Sequence, residues 1–426
     1  MHGRILLVTT ILSAAAGFAS ADVAVTGSAK MGIVNAYDSV KATSATAFKS
    51  GMDITFTGSG TTDGGLTFGG SFGANNSVAA DAGAKGSVYI SGAFGKISMG
   101  DVAGGDAASV GQLASVGFDG LGSTNSINYA SDGFDLFGLP ALAADSNTDS
   151  YDGYDFVTPA NVALGDVVTS TVTFAASTKV TAGGPAKVLY TYSANGLTLN
   201  ASASQLSNSA TNSSSYGLGA AYTTGGLTVA LGYGSNQFGF ATTVSGTVGV
   251  VGSNITEDMG HLTGTVSNGT VTDTSLSATY VMGDTTVKAI YQDKQVDGTY
   301  QTAYFDPDSA IAIDKTDPAA VSATATSMGL SVVHVMGALS LTAFDVRTNL
   351  TSDMINTVKQ DISVTRMGIG AAYDLGGGAK FKVGAVRVEA PNMTFDAGSY
   401  EAETDPSATL NTVSYSAYDV GVTFAF

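Results

Sequence analysis

Residues able to carry out covalent catalysis are scarce in this sequence of 426 residues. It has no cysteine, which excludes a thiol nucleophile and cysteine-ligated zinc or iron–sulfur sites. Of its three histidines, His2 lies at the very start, and His261 and His334 stand without a G-x-S-x-G motif. We therefore expect no enzyme; the alternative is a hydrolase that uses His261 or His334 as its base.

Charged side chains at regular positions carry the other chemistry that the sequence offers. Bases occur on the polar side of segments in which polar and apolar residues alternate; they are Lys30, Lys49, Lys187, Lys288 and Arg366. Carboxylates occur at Asp101, Asp106 and Asp119, in or beside a long connection rich in aspartate. Facing charges of opposite sign order water and sort solutes by charge and dipole. We expect the three carboxylates to meet Lys30 and Lys49 at a narrow constriction, and the other three bases to line the space around it.

Strands of a membrane type are the elements that position these charges. Near the C-terminus, apolar and aromatic residues at every second position alternate with small or polar ones; they are Tyr418, Val420, Val422, Phe424 and Phe426. Such a strand has one face for lipid and one for a polar interior. A basic side chain facing mid-bilayer costs about 2–4 kcal/mol, so the bases belong on the interior face. Arg387 and Glu389 break this rule unless a bulge near Ala385 resets the register.

Short turns and long connections alternate along the chain. Seven short turns, such as 61–65 and 375–378, separate eight longer polar connections, of which 102–185 is by far the longest. This asymmetry is typical of outer-membrane barrels, whose periplasmic turns are short. Because lipid tolerates no unpaired strand edge, the sequence predicts an all-β fold: a 16-stranded antiparallel transmembrane β-barrel whose first and last strands pair.

The longest connection, 102–185, is the third of the outer loops. It contains apolar residues that a solvated loop would not need, at Leu113, Val116, Phe118 and Leu121. A wide barrel leaves a lumen that must be partly filled before it can select solutes. We therefore expect the long third loop to fold into the lumen.

The predicted export signal and the net charge indicate where this barrel is located and which partners are unsuited to it. A basic start, a short apolar run and Ala19-Ser20-Ala21 predict a signal peptide over 1–21, which leaves one barrel domain over 22–426. Only 12% of residues are charged and the formal net charge is −18, which argues against nucleic acid as a partner. The same acidity predicts a mild preference for cations.

Four stretches resemble one known family. GSVYISGAFGKISMGD at 86–101, together with 59–66, 188–193 and 368–378, is similar to the trimeric general porins of the Rhodobacter type. The resemblance implies a homotrimer in the Gram-negative outer membrane, surrounded by lipid and lipopolysaccharide, with the third loop as a constriction. It also implies a water-filled channel for passive passage of small hydrophilic solutes and ions. The alternating C-terminal residues that end at Phe426 match the assembly signal of that family.

The resemblance is incomplete in the third loop. Ala107, Gln112 and Ser115 stand in a stretch where that family carries carboxylates, which implies a weaker transverse field. Two β-like stretches, 125–130 and 167–174, would raise the strand count to 18 if they crossed the membrane.

Other functions stay open on the residues alone. A substrate-specific outer-membrane channel would line its lumen with aromatic or basic tracks, whereas the inward residues here are mostly small. A secreted structural protein such as a β-solenoid would repeat at a fixed short period, which this chain lacks. Acidic groups at 257–258, 306–317 and 396–405 suit calcium, but no spaced calcium-loop motif is present. We expect no cofactor, and any metal ligands stay unknown.

Overall fold

A computed structural model of the 426-residue chain is the basis of the description. It describes residues 22–38, 43–75, 86–132, 150–151, 167–174, 187–207, 212–242, 244–251, 265–300, 303–305, 313–315, 319–352, 360–391 and 412–426. The predicted signal peptide, His261 and most of the acidic connections lie outside these residues. Within them, no helix is long and apolar enough to cross a membrane.

Strands make up most of the described chain. The first are β1 (Asp22–Asp38), β2 (Thr43–Thr61), β3 (Thr67–Asn75), β4 (Gly86–Gly92), β5 (Gly95–Gly100), β6 (Ser150–Tyr151), β7 (Val167–Phe174), β8 (Lys187–Ala194), β9 (Leu197–Ser207), β10 (Asn212–Thr224) and β11 (Leu227–Thr242). They continue with β12 (Val244–Val251), β13 (Thr265–Met282), β14 (Thr285–Tyr300), β15 (Ala303–Phe305), β16 (Ile313–Lys315), β17 (Ala319–Met336), β18 (Leu339–Ser352), β19 (Gln360–Gly376), β20 (Ala379–Pro391) and β21 (Thr412–Ala425). Between β5 and β6 lie the helix α1 (Gly105–Val110) and two 3-10 turns, Gly120–Ser123 and Ala130–Asp132.

Sixteen of these strands form one closed antiparallel barrel, which confirms the predicted fold. Its order follows the chain from β1 to β21, omitting β6, β7, β12, β15 and β16, and it closes where β1 pairs with β21. At the seam, the Gly27 N–H donates to Phe426 O at 2.7 Å and the Phe426 N–H donates to Gly27 O at 2.9 Å. Closure leaves no free strand edge in the wall, as a lipid environment requires.

The two faces of the wall differ in the way the alternation predicted. Large apolar side chains such as Met31, Leu218 and Ile369 are more than half exposed on the outer face. A belt of this size would drive aggregation in water, but hydrocarbon solvates it. Tyr222 and Tyr373 lie on that face beside the short turns, where amphipathic rings suit the membrane interface.

The tight turns follow the glycine and asparagine positions. In the turn between β8 and β9, Asn195 and Gly196 both have positive φ, at 51° and 80°. Two successive residues in this region match the right-handed twist of the flanking strands and give a tight hairpin.

The two β-like stretches that would have raised the count to 18 do not join the barrel. β7 pairs with β12 and β6 in a separate three-stranded sheet. Residues 125–130 contain no strand and end in a 3-10 turn. The 18-strand alternative is therefore wrong, because a strand-like composition at 167–174 found partners outside the wall.

Candidate functional site

Residues 102–132, here called the inner segment, run along the polar face of the wall. The Gly105 N–H donates to Ser202 Oγ of β9 at 2.8 Å, and the Ala114 N–H donates to Ser331 Oγ of β17 at 3.2 Å. Further on, the Phe118 N–H donates to the Asp419 carboxylate of β21 at 3.0 Å. These wall residues alternate with the exposed apolar ones, so the segment lies on the face that is turned away from lipid.

The inner segment then folds back on itself. Gln112 and Ile127 exchange two hydrogen bonds of 2.7 Å, and Asn125 Nδ2 donates to Leu113 O at 2.6 Å. The returning half reaches β13, where the Ala130 N–H donates to Asp273 at 2.8 Å. Since β13 stands eight strands from β2 in the ring of sixteen, and the segment contacts both, it reaches opposite sides of the lumen.

Asp119 lies between two of the predicted bases. Its carboxylate accepts hydrogen bonds from Lys30 Nζ at 2.7 Å and from Lys49 Nζ at 2.5 Å. Burial raises the pKa of Asp119, but the two ammonium groups outweigh it and hold the pKa below its ordinary value. The structure therefore brings together Asp119, Lys30 and Lys49, three of the five residues predicted for the constriction.

Asp106 is not exposed to the lumen, contrary to the prediction. It lies in α1, is fully buried, and accepts a hydrogen bond from the Ser131 hydroxyl. A Cβ on Gly234 would lie 2.1 Å from Asp106 Oδ2 and 2.4 Å from Asp273 Oδ1, so the wall glycine makes the room that this carboxylate fills. Burial, and then the charge of Asp273, raise the pKa of Asp106 to about 7. Asp106 anchors the segment to the wall.

Asp419 is a second buried carboxylate that holds the inner segment. Its Oδ2 accepts the N–H groups of Phe118 and Asp119, at 3.0 and 2.9 Å. A Cβ on Gly117, which has φ of 79°, would lie 2.1 Å from Asp419 Oδ1. Asp419 was not among the predicted site residues; a carboxylate on the polar side of the last strand was the signal that could have found it.

The three remaining bases contact the inner segment rather than open water. Lys187 forms an ion pair with Asp132, and Lys288 Nζ donates to Val110 O at 2.6 Å. Arg366 is 2% exposed, and one of its terminal nitrogens donates to Ser126 O at 3.1 Å. Their predicted inward direction agrees with the structure, but buried Arg366 cannot act as a free lumen charge.

Asp101 stands apart from the other predicted carboxylates. It follows β5, is exposed, and its carboxylate has no ion pair with the described residues. The C-terminal residues take the alternating places expected of them: Tyr418 is half exposed on the outer face, and its neighbour Asp419 is fully buried.

An apolar core lies between the inner segment and the wall, and its wall side was not expected. Leu113, Val116, Phe118 and Leu121 are all at most 6% exposed, and they belong to one buried cluster with the wall residues Val346 and Val386. The prediction that the inward residues are mostly small is therefore wrong for this part of β18 and β20. The inner segment covers these valines, so they need no contact with water.

The predicted histidine and calcium sites do not belong to the inner segment. His334 is exposed on the outer face, with Nδ1 2.8 Å from the Thr285 hydroxyl, and the acidic groups at 257–258 and 396–405 lie outside the described residues. In the described part of the chain, no group of three or more His, Cys, Asp or Glu residues is arranged to hold a metal ion.

Comparison with known sequences gives one consistent result. A family model described as Gram-negative porin matches residues 8–393. A porin from Rhodobacter capsulatus is 31% identical over 387 residues, which cover 88% of this chain and 98% of that protein.

Comparison with solved structures agrees. A porin structure refined at 1.8 Å is 28% identical, with a TM-score of 0.54, and covers 95% of this chain and 100% of its own. OmpT, an outer membrane protein of Vibrio cholerae, shares the fold with a TM-score of 0.58 at 12% identity, covering 98% of this chain and 100% of its own.

Proposed function

We propose, because this chain belongs to the Gram-negative porin family, that it is a general diffusion porin with a mild preference for cations. That it is an outer-membrane porin channel follows from the family. The general character of the channel, its selectivity and its constriction are the proposal. No step of the proposed function is catalytic.

The observation that carries the proposal is the path of the inner segment. It contacts the wall from Lys187 of β8 through β21 to β2, whereas no hydrogen bond or ion pair of the described residues joins it to an inward side chain of β3, β4 or β5. The inward side chains of these three strands include the hydroxyl-bearing Ser71, Ser87 and Ser98. A passage lined by hydroxyl groups hydrates many small solutes equally well, which favours a general over a substrate-specific channel.

Asp119, Lys30 and Lys49 are the proposed centre of the constriction, with Asp101 beside the passage. The carboxylate offsets the charge of one of the two bases, which leaves a local excess of one positive charge. The charge of the whole molecule has the opposite sign, with a formal net value of −18, and this supports the mild cation preference.

Liposome swelling with neutral sugars of increasing size tests the general character. A smooth fall of the swelling rate with solute size is expected. One sugar that enters far faster than its size allows would establish the alternative, a substrate-specific channel. Reversal potentials in a salt gradient test the selectivity, and a clear anion preference would contradict that part of the proposal.

We also propose a homotrimer, embedded in outer-membrane lipid and lipopolysaccharide after removal of residues 1–21. Support comes from the family resemblance and from the lipid-compatible outer face. Native mass spectrometry of the protein from outer membranes should give three copies of a chain that begins at Asp22. Calcium bound by the acidic connections stays a separate proposal, tested by calcium titration of the same sample.

A further inference from the structure

Two buried carboxyl groups face each other where the inner segment meets the wall. Asp106 of α1 and Asp273 of β13 are 0% and 1% exposed. The point where Gly234 would carry a Cβ lies 2.1 Å from an oxygen of Asp106 and 2.4 Å from an oxygen of Asp273, and the two side chains are within hydrogen-bonding distance. Two negative charges this close repel each other strongly when water is excluded. The pair therefore holds either a proton or a cation.

A cation is the less suitable occupant. Calcium takes about six to eight oxygen ligands and magnesium about six. The Ser131 hydroxyl is engaged, because it donates to Asp106 Oδ1. Asp132 is also engaged, because it accepts from Lys187 and from the Gly104 N–H. Among the residues that the structure describes, no third acid completes a metal-binding group here, whereas a proton needs only the two facing oxygens.

Asp106 is the member of the pair that carries the proton. Asp273 accepts the Ala130 N–H at 2.8 Å and Gln292 Nε2 at 3.0 Å. Lys294 stands opposite Asp273 on β14, so the ionised form of this carboxyl group is well stabilised. Asp106 Oδ2, by contrast, is buried and accepts no hydrogen bond from the described residues. Protonation turns this oxygen into a donor to Asp273, which removes the unpaired acceptor.

Loss of that proton would leave a buried negative charge. Lys294 offsets the charge of Asp273, and Lys187 offsets that of Asp132. A second carboxylate at Asp106 would have no base in contact with it among the described residues. The titratable and charged groups around the pair are Asp132 and Tyr129 of the inner segment, Lys187 of β8, and Lys288 and Lys294 of β14; the facing positions of β9, β10 and β11 are Ser202, Gly217, Gly232 and Gly234.

The attachment of α1 at this place depends on polar contacts. The wall beneath it consists of glycines: a Cβ on Gly232 would lie 3.0 Å from Asp106 Cα, and one on Gly219 would lie 2.2 Å from Ser109 Oγ. Glycine offers no side chain for α1 to pack against, so a charged Asp106 reaches water most easily if α1 leaves the wall. The proposed passage along β3 to β5 lies beside α1, because α1 begins soon after β5 ends. A released α1 would therefore enter the passage.

We propose that Asp106 and Asp273 share one proton that holds the channel open, and that loss of this proton to lumen water releases α1 into the passage and closes it. Asp273 is then a positioning residue, which acts on the passage through Asp106. Because burial and the charge of Asp273 raise the pKa of Asp106 to about 7, the open form prevails in acid and the closed form above neutral pH. The inference rests on the proposed channel function and adds a regulation by pH to it.

Single-channel recording in planar bilayers tests the proposal. For the wild-type protein, the share of time in a closed or reduced-conductance state should rise about tenfold or more between pH 5 and pH 9. In Asp106→Asn, the amide N–H donates to Asp273 in place of the proton and does not titrate. This variant should stay open at both pH values.

Glu389→Gln is the matched control, since it removes one carboxylate charge from the outer face of the barrel. Glu389 lies on that face because no bulge near Ala385 turns it inward: β20 keeps its register with both neighbours through these residues. The control should keep the pH dependence of the wild type. Infrared spectroscopy of the wild-type protein gives a second readout that needs no variant. A band of a protonated buried carboxyl group should be present at pH 5 and lost at pH 9.

Equal or longer open times of the wild type at pH 9 than at pH 5 would overturn the proposal. Closure of Asp106→Asn at pH 9 as often as in the wild type would also overturn it, and so would infrared spectra in which no carboxyl band is lost between the two pH values. A failure of the proposed channel function would look different, because it would appear as missing conductance at pH 5, where the pair is protonated.

Discussion

Asp106 fills a space that exists because glycines stand at that point of the wall. Glycines on β10 and β11, Gly217 and Gly234, leave the volume that its carboxylate takes, and Ser131 supplies a donor. Asp106 was predicted to lie at the constriction, whereas its side chain is buried against the wall. Strand alternation predicts where a side chain points only within a strand, and Asp106 lies on a short helix whose orientation depends on contacts distant in sequence.

Filling that space should loosen the inner segment. In Gly234→Ala, the new Cβ would collide with Asp106 and Asp273, and we expect docking of α1 to weaken by about 1–3 kcal/mol. Amide hydrogen exchange of residues 105–111 measures the effect. Gly58→Ala is the matched control, since a Cβ there meets nothing within 4 Å. Equal exchange in the two variants would contradict the conclusion that Gly234 leaves the space that Asp106 needs.

Lys30 and Lys49 should control the sign of the field at the proposed constriction. Replacing both with alanine leaves Asp119 as an unpaired carboxylate, so the ratio of cation to anion permeability should rise by about two- to tenfold. Reversal potential in a potassium chloride gradient measures this ratio. Lys96→Ala removes a lumen base that does not contact Asp119, and an equal rise in that variant would show that position is irrelevant.

Two carboxyl groups of the inner segment, those of Asp106 and Asp119, have pKa values shifted in opposite directions. For Asp106 the folded pKa is raised to about 7, so the attachment of α1 is strongest in acid and weakens as pH rises toward 7. The charged and titratable groups around it are Asp132, Tyr129, Asp273 and, next to Asp273, Lys294. For Asp119 the pKa is lowered, so its contacts with Lys30 and Lys49 persist at neutral pH and are lost in strong acid.

Hydrogen exchange of α1 should show the titration of Asp106. After correction for intrinsic exchange, protection at residues 105–111 should decrease between pH 5 and pH 8. Asp106→Asn keeps the size of the side chain and removes its titration, so the pH effect at α1 should disappear. A pH effect that survives in this variant would assign the titration to Asp273 or another group.

The wall strands were far more predictable from the sequence than the inner segment. Period-two patterns and turn glycines located the sixteen wall strands, because lipid imposes one rule on every outward residue. The inner segment obeys no period. Its anchors Ser202, Asp273 and Asp419 come from strands spread over the chain, and only the closed ring lets one segment contact all three.

Phe426 extends the seam between β1 and β21 that closes the whole barrel. Phe426 exchanges two backbone hydrogen bonds with Gly27, and a Cβ on Gly27 would lie 2.3 Å from its ring. Deleting Phe426 should lower the amount of protein assembled in the outer membrane by about tenfold, because the seam loses two backbone hydrogen bonds and the proposed assembly signal loses its last aromatic residue. Conductance of the channels that do form should change little. Normal membrane levels of the shortened chain would count against the assembly role.

The pairing of β1 with β21 also sets an order of events in folding. β1 is synthesised first, yet one of its edges has no partner until the last strand has been made, almost 400 residues later. Contacts so distant in sequence form slowly, and an open edge of alternating apolar residues associates readily with other chains. The protein is therefore most prone to aggregate before β21 pairs with β1. A factor that covers the β1 edge during this time would protect the chain more than any stabilisation of the finished barrel.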